Sequence, residues 1–71
     1  MKRIPITSSN LAAIGYDPHT KTLEVEFKNG MIYQYDRVPV DIYAELMNAD
    51  SHGSYFARNV KNAGFAFKRI H

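Results

Sequence analysis

The basic side chains near the end of the chain are the residues best suited to bind a ligand. They are Arg58, Lys61, Lys68 and Arg69. Arg58 and Lys61 are three positions apart, so on a helix their side chains would be neighbours. Because clustered ammonium and guanidinium groups bind phosphate, we predict a nucleic-acid-binding patch formed by these four residues, which Arg37 joins if its loop folds back. The alternative is that all five are ordinary solvated surface charges.

Tyr33 and Tyr35 are separated by one residue in a predicted strand, so their rings must point to the same face. Outward-facing rings would form a platform on which nucleotide bases stack, whereas inward-facing rings would belong to the core. The length of the preceding hairpin loop decides between the two, because a one-residue change of register exchanges the faces of a strand. A three-residue loop over 28–30 places the tyrosines opposite Val25 and Leu23 and buries several large apolar side chains, each worth roughly 1.5–3 kcal/mol. We therefore predict core tyrosines.

No set of side chains in the sequence has the spacing of a catalytic or metal site. His19, His52 and His71 are far apart and lack the HxxxH or HxH spacing typical of metal ligands. The chain has no Cys, and therefore neither a thiolate nucleophile nor disulfides. A triad could be assembled from Ser8 or Ser9, His52 and an acid, but no nucleophile-elbow motif supports it. We predict a non-enzymatic protein without a metal ion or other cofactor.

Composition and charge describe a small folded domain with one basic end. The 71 residues are 45% hydrophobic and 13% aromatic, which predicts a single globular domain over 1–71. Residues 1–50 carry five basic and seven acidic side chains, whereas residues 51–71 carry four basic and no acidic ones. This asymmetry indicates a polyanion-facing end, but a net charge of only +2 argues against a dedicated high-affinity DNA-binding protein. Because no apolar run suits a membrane span or a signal peptide, we expect a cytoplasmic protein without a membrane partner.

Hydrophobic periodicity divides the chain into a β half and a helical half. Apolar and charged residues alternate in "TLEVEF", as in a half-buried strand, and "NG" marks a hairpin. After "DRVP" the period becomes helical, and Tyr43 of the first helix is expected to pack against Tyr33. The pattern predicts an α+β fold in which two helices cover one face of a three-stranded antiparallel meander, and the end of the chain is compatible with a last short strand. The predicted strands cover about 11–16, 22–28 and 31–36, the helices about 40–49 and 51–63, and the last strand about 65–70.

The chain resembles the KTSC domain family along most of its length. The resemblance rests on "SSNLAAIGYD", "TLEVEFKNG", the Tyr-x-Tyr of "YQY", "VPVDIY" and "SHGSYFARNV", in that order. The family contains small stand-alone bacterial and phage proteins and a domain at the C-terminus of some lysyl-tRNA synthetases. The resemblance implies a binding module whose partner is RNA, either tRNA or single-stranded. The alternative is a protein-protein interaction module of bacterial or phage origin that docks through its helical half.

Overall fold

The computed structural model describes all residues, 1–71, and shows an α+β fold. A single antiparallel sheet contains five strands whose spatial order follows the sequence. The predicted number of three strands is therefore wrong, although the α+β class and the antiparallel meander are confirmed. The strands are β1 (Arg3–Pro5), β2 (Leu11–Asp17), β3 (Thr22–Phe27), β4 (Ile32–Tyr35) and β5 (Phe67–Arg69).

The two edge strands explain the difference in strand number. β1 pairs with β2 over only three residues, and so short a segment shows no periodicity in the sequence. It includes Pro5, which lacks a backbone donor and is tolerated at a sheet edge. At the other edge, β5 pairs with β4, so a last strand within 65–70 does form. Tertiary pairing, rather than local sequence pattern, creates both edges.

The hairpin between β3 and β4 has the predicted register. Val25 lies opposite Tyr33, and Leu23 lies opposite Tyr35. The amide of Phe27 donates to the carbonyl oxygen of Met31 at 2.9 Å, which closes a three-residue loop over 28–30. Gly30 in this loop has a φ of 92°, a left-handed conformation that glycine adopts without steric cost. Both tyrosines therefore face the side of the sheet that the helices cover.

Two helical segments follow the hairpin. Helix α1 (Val40–Asn48) is followed by α2 (His52–Phe56), which continues as a π-helical turn over Ala57–Lys61. Ser51 caps α2, since its Oγ accepts the backbone N–H of Ser54. The helical structure ends two residues before the predicted boundary at 63. The longest continuous helical segment, 52–61, has ten residues (five in α2 and five in the π-helical turn), and no helix is long and apolar enough to cross a membrane.

The core lies between the sheet and the helices. Its buried apolar side chains come from β2, β3, β4, both helical segments and the loop before α1: Leu11, Ile14, Leu23, Val25, Tyr35, Val38, Leu46, Phe56 and Val60. Tyr35 is a core residue as predicted, whereas Tyr33 is only partly buried. The predicted packing of Tyr33 on Tyr43 is wrong, because the ring of Tyr43 stacks on Tyr16, with centroids 4.8 Å apart. Tyr33 is left at the margin of the core, where it lines a groove.

Candidate functional site: an aromatic groove with unpaired polar groups

A groove of about 440 Å³ lies between the helical segment that begins with α2 and the part of the sheet nearest β5. Apolar side chains dominate its lining, and most of them are aromatic. They come from β3, β4, β5, the residue before β4 and the helical segment: Phe27, Met31, Tyr33, Tyr35, Phe56, Ala57 and Phe67. A concave site of this size and composition is what small-molecule and nucleotide ligands occupy in proteins.

The aromatic rings of the groove run from fully buried to exposed. Tyr35 is 5% exposed and meets Phe56 edge to face, with centroids 5.6 Å apart. Tyr33 lies 6.4 Å from Tyr35 and 5.9 Å from Phe67. Phe67 on β5 is 60% exposed, although it contacts both tyrosine rings. The buried end of this series holds the fold together, and the exposed end offers ring surface to a ligand.

Three polar side chains line the same groove: Asn10, Lys61 and Asn62. All three are exposed. Both ion pairs of the fold belong to Arg3, so Lys61 pairs with no acidic group. Asn62, just after the π-helical turn, makes no side-chain hydrogen bond within the chain. The groove therefore joins exposed ring surface to hydrogen-bonding groups that the fold does not use.

Asn10 is positioned by its neighbours on both sides. Its Oδ1 accepts a hydrogen bond from Ser8 Oγ at 3.2 Å. It also lies against Gly53 of α2, where a Cβ atom would come within 2.7 Å of that oxygen. The segment before β2 and the first turn of α2 thus meet at the edge of the groove. In the sequence these are the "SSN" and "SHGS" stretches, which a single-chain pattern does not reveal as neighbours.

The structure divides the five basic residues of the predicted patch. Lys61 lines the groove, and Arg69 lies opposite Tyr33 on the same face of the sheet. Lys68 is the neighbour of Arg69 on β5, so its side chain points to the other face, where it lies opposite Gln34. Lys61 and Arg69 are therefore the two residues of the predicted patch that lie on the aromatic side of the sheet.

The other two residues of the predicted patch lie outside the groove. Arg58 is exposed on the π-helical turn and forms no ion pair. Arg37 follows β4 in a left-handed conformation, with a φ of 57°. It lines a separate hollow of about 410 Å³ with Asp36 and Phe65. The loop does approach the C-terminal segment, but at a different site from Lys61.

The uncovered face of the sheet contains a polar network that the sequence did not reveal. Period-two alternation places Glu24 and Glu26 on this face, yet Glu24 is only 4% exposed. Arg3 of β1 reaches over the sheet and donates to both carboxylates, and Gln34 Nε2 donates to Glu24 at 2.8 Å. Burial alone would raise the pKa of Glu24, but the hydrogen bonds from Gln34 and Arg3 outweigh it and lower the pKa. The sequence did not predict the short strand β1, which carries Arg3, and therefore did not predict this network.

The histidines are placed apart from one another and from any cluster of acids. His19 lies in the turn after β2, and His71 is the last residue. The Nδ1–H of His52 donates to the carbonyl oxygen of Leu46 at 2.8 Å, which ties the start of α2 to α1. No three His, Cys, Asp or Glu side chains come together in a way that could hold a metal ion. His52 thus has a structural partner.

Comparison with known proteins identifies the family. The family model of the KTSC domain matches residues 7–65. A protein from Stutzerimonas stutzeri is 41% identical over 70 residues, which is 99% of both chains. A lysine–tRNA ligase from a Nostoc species is 45% identical over 53 residues, which is 75% of this chain but only 9% of the ligase. The crystal structure of a KTSC domain protein from Yersinia pestis superposes with a TM-score of 0.91 at 37% identity, over 99% of this chain and 97% of that one. The chain belongs to the KTSC domain family.

Proposed function

We propose that the protein is a non-enzymatic RNA-binding module and that the aromatic groove is its binding site. The observation that carries the proposal is the combination of the exposed Phe67 ring with the unpaired donor Lys61 in one concavity. A site that binds RNA bases needs flat ring surface for stacking and cations for the phosphates, and both are available here.

The stacking surface is provided by Phe67 and the partly buried Tyr33. Their centroids are 5.9 Å apart and their planes are inclined by 35°, so the rings form one continuous apolar wall rather than two isolated faces. Stacking of a base on an aromatic side chain is worth about 1–3 kcal/mol and depends little on sequence. This wall lies on the helix-covered side of the sheet, unlike the open-sheet platform that exposed tyrosines would have formed.

The charges favour the same site. Lys61 lines the groove and Arg69 lies beside Tyr33, while the uncovered sheet face carries Glu24 and Glu26. Lys61 and Arg69 on the groove side have no acidic partner and attract phosphate, whereas Arg3 on the uncovered face is already paired with Glu24 and Glu26. Arg58 and Lys68 are exposed outside the groove and add to the basic field of the C-terminal segment, which attracts a polyanion before contact.

The similarity to part of a lysine–tRNA ligase supports tRNA as the RNA in question. A domain attached to a lysine–tRNA ligase would assist that enzyme by binding the tRNA on which the enzyme acts. An RNA partner also implies a cytoplasmic location, in a bacterial or phage context.

The test is a titration of fluorescein-labelled single-stranded RNA and of mixed tRNA at several salt concentrations, read by anisotropy. Binding through about three or four basic side chains should weaken steeply as salt rises. Phe67→Ala should lose about 1–3 kcal/mol of binding free energy. The matched control is Val40→Ala, which removes another apolar side chain that is 60% exposed but lies on α1, away from the groove lining. Absence of binding at low salt would refute the proposal.

The alternative function is docking of a partner protein on the helical half. The 60% exposed Val40 on α1 is the observation in its favour. A largely apolar protein interface would depend little on salt. In that case Val40→Ala, and not Phe67→Ala, would weaken complex formation.

A further inference from the structure

The hydrogen bonds around Ser8 determine which end of the Asn10 amide is free. Ser8 Oγ accepts the backbone N–H groups of Asn10 and Leu11, at 3.4 and 3.3 Å. With both lone pairs engaged, the hydroxyl can only donate, and its proton goes to the Asn10 side chain. The atom that receives it must therefore be the oxygen. Nδ2 of Asn10 is the free end of the amide, and it can only donate.

Gly53 restricts the amide from the other side. Because Oδ1 lies only 2.7 Å from the place that a Cβ atom at position 53 would take, the amide rests directly against α2. Asn10 and Gly53 both line the groove. The edge of the groove thus has an N–H₂ donor from Asn10, oriented by Ser8, in addition to the ammonium donor of Lys61.

The shape of the groove limits which RNA can reach these donors. Its volume of about 440 Å³ suits one nucleotide. Bases in an A-form duplex are stacked on both faces and use their pairing edges for the opposite strand, so protein rings that line a concave site cannot stack on them. Only an unpaired base can lie against Tyr33 and Phe67 with its edge near Asn10.

We infer that the groove binds an unpaired uracil more tightly than an unpaired cytosine, because uracil has a carbonyl oxygen where cytosine has an amino group. This inference rests on the proposed RNA-binding function. Uracil offers oxygen acceptors on its pairing edge, whereas cytosine has an amino donor at the corresponding position. An oriented donor such as Asn10 Nδ2 bonds to the oxygen and faces the amino group unfavourably. The two pyrimidines have the same size, so stacking cancels in the comparison.

The test compares the affinities of labelled U8 and C8 oligonucleotides and of a fully paired RNA hairpin, by anisotropy at low salt. One additional hydrogen bond should make U8 bind about three- to tenfold more tightly than C8. The hairpin should bind more weakly than U8. Asn10→Asp keeps an oxygen toward Ser8 but replaces the donor with an acceptor, so the preference should reverse in favour of C8.

Thr20→Asp is the control, because it adds the same charge in the turn after β2. That turn is separated from the groove end of β2 by about six residues of strand, or roughly 20 Å. It should lower the affinity for both oligonucleotides slightly and leave their ratio unchanged. Equal affinities for U8 and C8, an unchanged ratio in Asn10→Asp, or a hairpin bound as tightly as U8 would overturn this inference but not RNA binding itself. Failure of every RNA to bind would overturn both.

Discussion

On the uncovered face of the sheet, the carboxylate of Glu24 is buried and hydrogen-bonded by Arg3 and Gln34, whereas at the groove Lys61 and Asn62 are exposed and have no partner within the chain. Both regions are polar, and each contains a basic side chain, Arg3 in the first and Lys61 in the second. The first satisfies its own groups, so its charges serve the fold. The second leaves its donors to solvent beside an exposed ring, which is the arrangement that a ligand can complete. Satisfaction of hydrogen bonds, rather than charge itself, separates the structural region from the candidate site.

The largest expected effect tests the buried end of the aromatic series. Tyr35→Ala removes a ring that is 5% exposed and packed on Phe56, so it should lower the free energy of unfolding by about 3–5 kcal/mol. For a domain of this size, that would unfold much of the population. Urea denaturation followed by circular dichroism measures the loss. Arg58→Ala replaces an exposed side chain, so its free energy of unfolding should stay within about 0.5 kcal/mol of the wild-type value. If Tyr35→Ala is as stable as Arg58→Ala, the assignment of Tyr35 to the core is wrong.

The second prediction concerns the Glu24 network and has a direction in pH. The fold holds the pKa of Glu24 below its usual value of 4.5, despite the burial that opposes ionisation, because Gln34 and Arg3 donate to the carboxylate. The carboxylate therefore stabilises the fold above about pH 4.5, and this stabilisation is lost as pH falls from 4.5 toward the folded-state pKa. Glu24→Gln should cost about 1–3 kcal/mol at pH 7 and should flatten that part of the acid dependence.

The measurement is the free energy of unfolding in urea from pH 7 down to pH 3. A backbone hydrogen bond from His19 also lowers the pKa of Asp17, so the variant should keep some acid dependence. Asp50→Asn, which changes an exposed acid without an ion pair, is the control and should follow the wild type. Parallel acid curves for the wild type and Glu24→Gln would show that the network does not stabilise the protein.

The elements that the sequence predicted are those with local signals. Alternation in "TLEVEF" and the glycine at position 30 were enough for the β3–β4 register, and so for the inward direction of Tyr33 and Tyr35. β1 was missed because three residues have no period, and with it the network that Arg3 makes with Glu24 and Glu26.

The groove was missed for a related reason. It brings together Asn10, Lys61 and Phe67, which are far apart in sequence, and their proximity depends on how α2 crosses the sheet. The basic cluster was recognised as residue types, but strand alternation, which separates Lys68 from Arg69, applies only once β5 is known to be paired. Local pattern gives the elements, and only tertiary packing shows which polar groups remain unpaired.

Two glycines provide the finest comparison between the regions. At Gly15, opposite Arg3 on the uncovered face, a Cβ atom would lie 2.8 Å from the backbone oxygen of Lys2 and 3.2 Å from Arg3 Cγ. Because the backbone oxygen of Lys2, directly before β1, cannot move alone, Gly15→Ala must displace the start of β1 and weaken the Arg3 hydrogen bonds. We expect a loss of about 1–3 kcal/mol in the free energy of unfolding, as for overpacked sites.

Gly53→Ala should change stability least, although its Cβ would come even closer to a neighbour, within 2.7 Å of Asn10 Oδ1. That oxygen is the end of an exposed side chain and can rotate away. Losing the hydrogen bond from Ser8 costs about 0.5–1.5 kcal/mol. Alanine in a helix gains roughly 0.5–1 kcal/mol over glycine, so the net change should lie between a gain of about 0.5 kcal/mol and a loss of about 1 kcal/mol. The displaced amide should nevertheless reduce the ratio of U8 to C8 affinity toward one. Urea denaturation measures the stability of this variant, and anisotropy with the same preparation measures the ratio of affinities. If Gly53→Ala is as destabilised as Gly15→Ala, Asn10 is part of the structural framework rather than of the binding site.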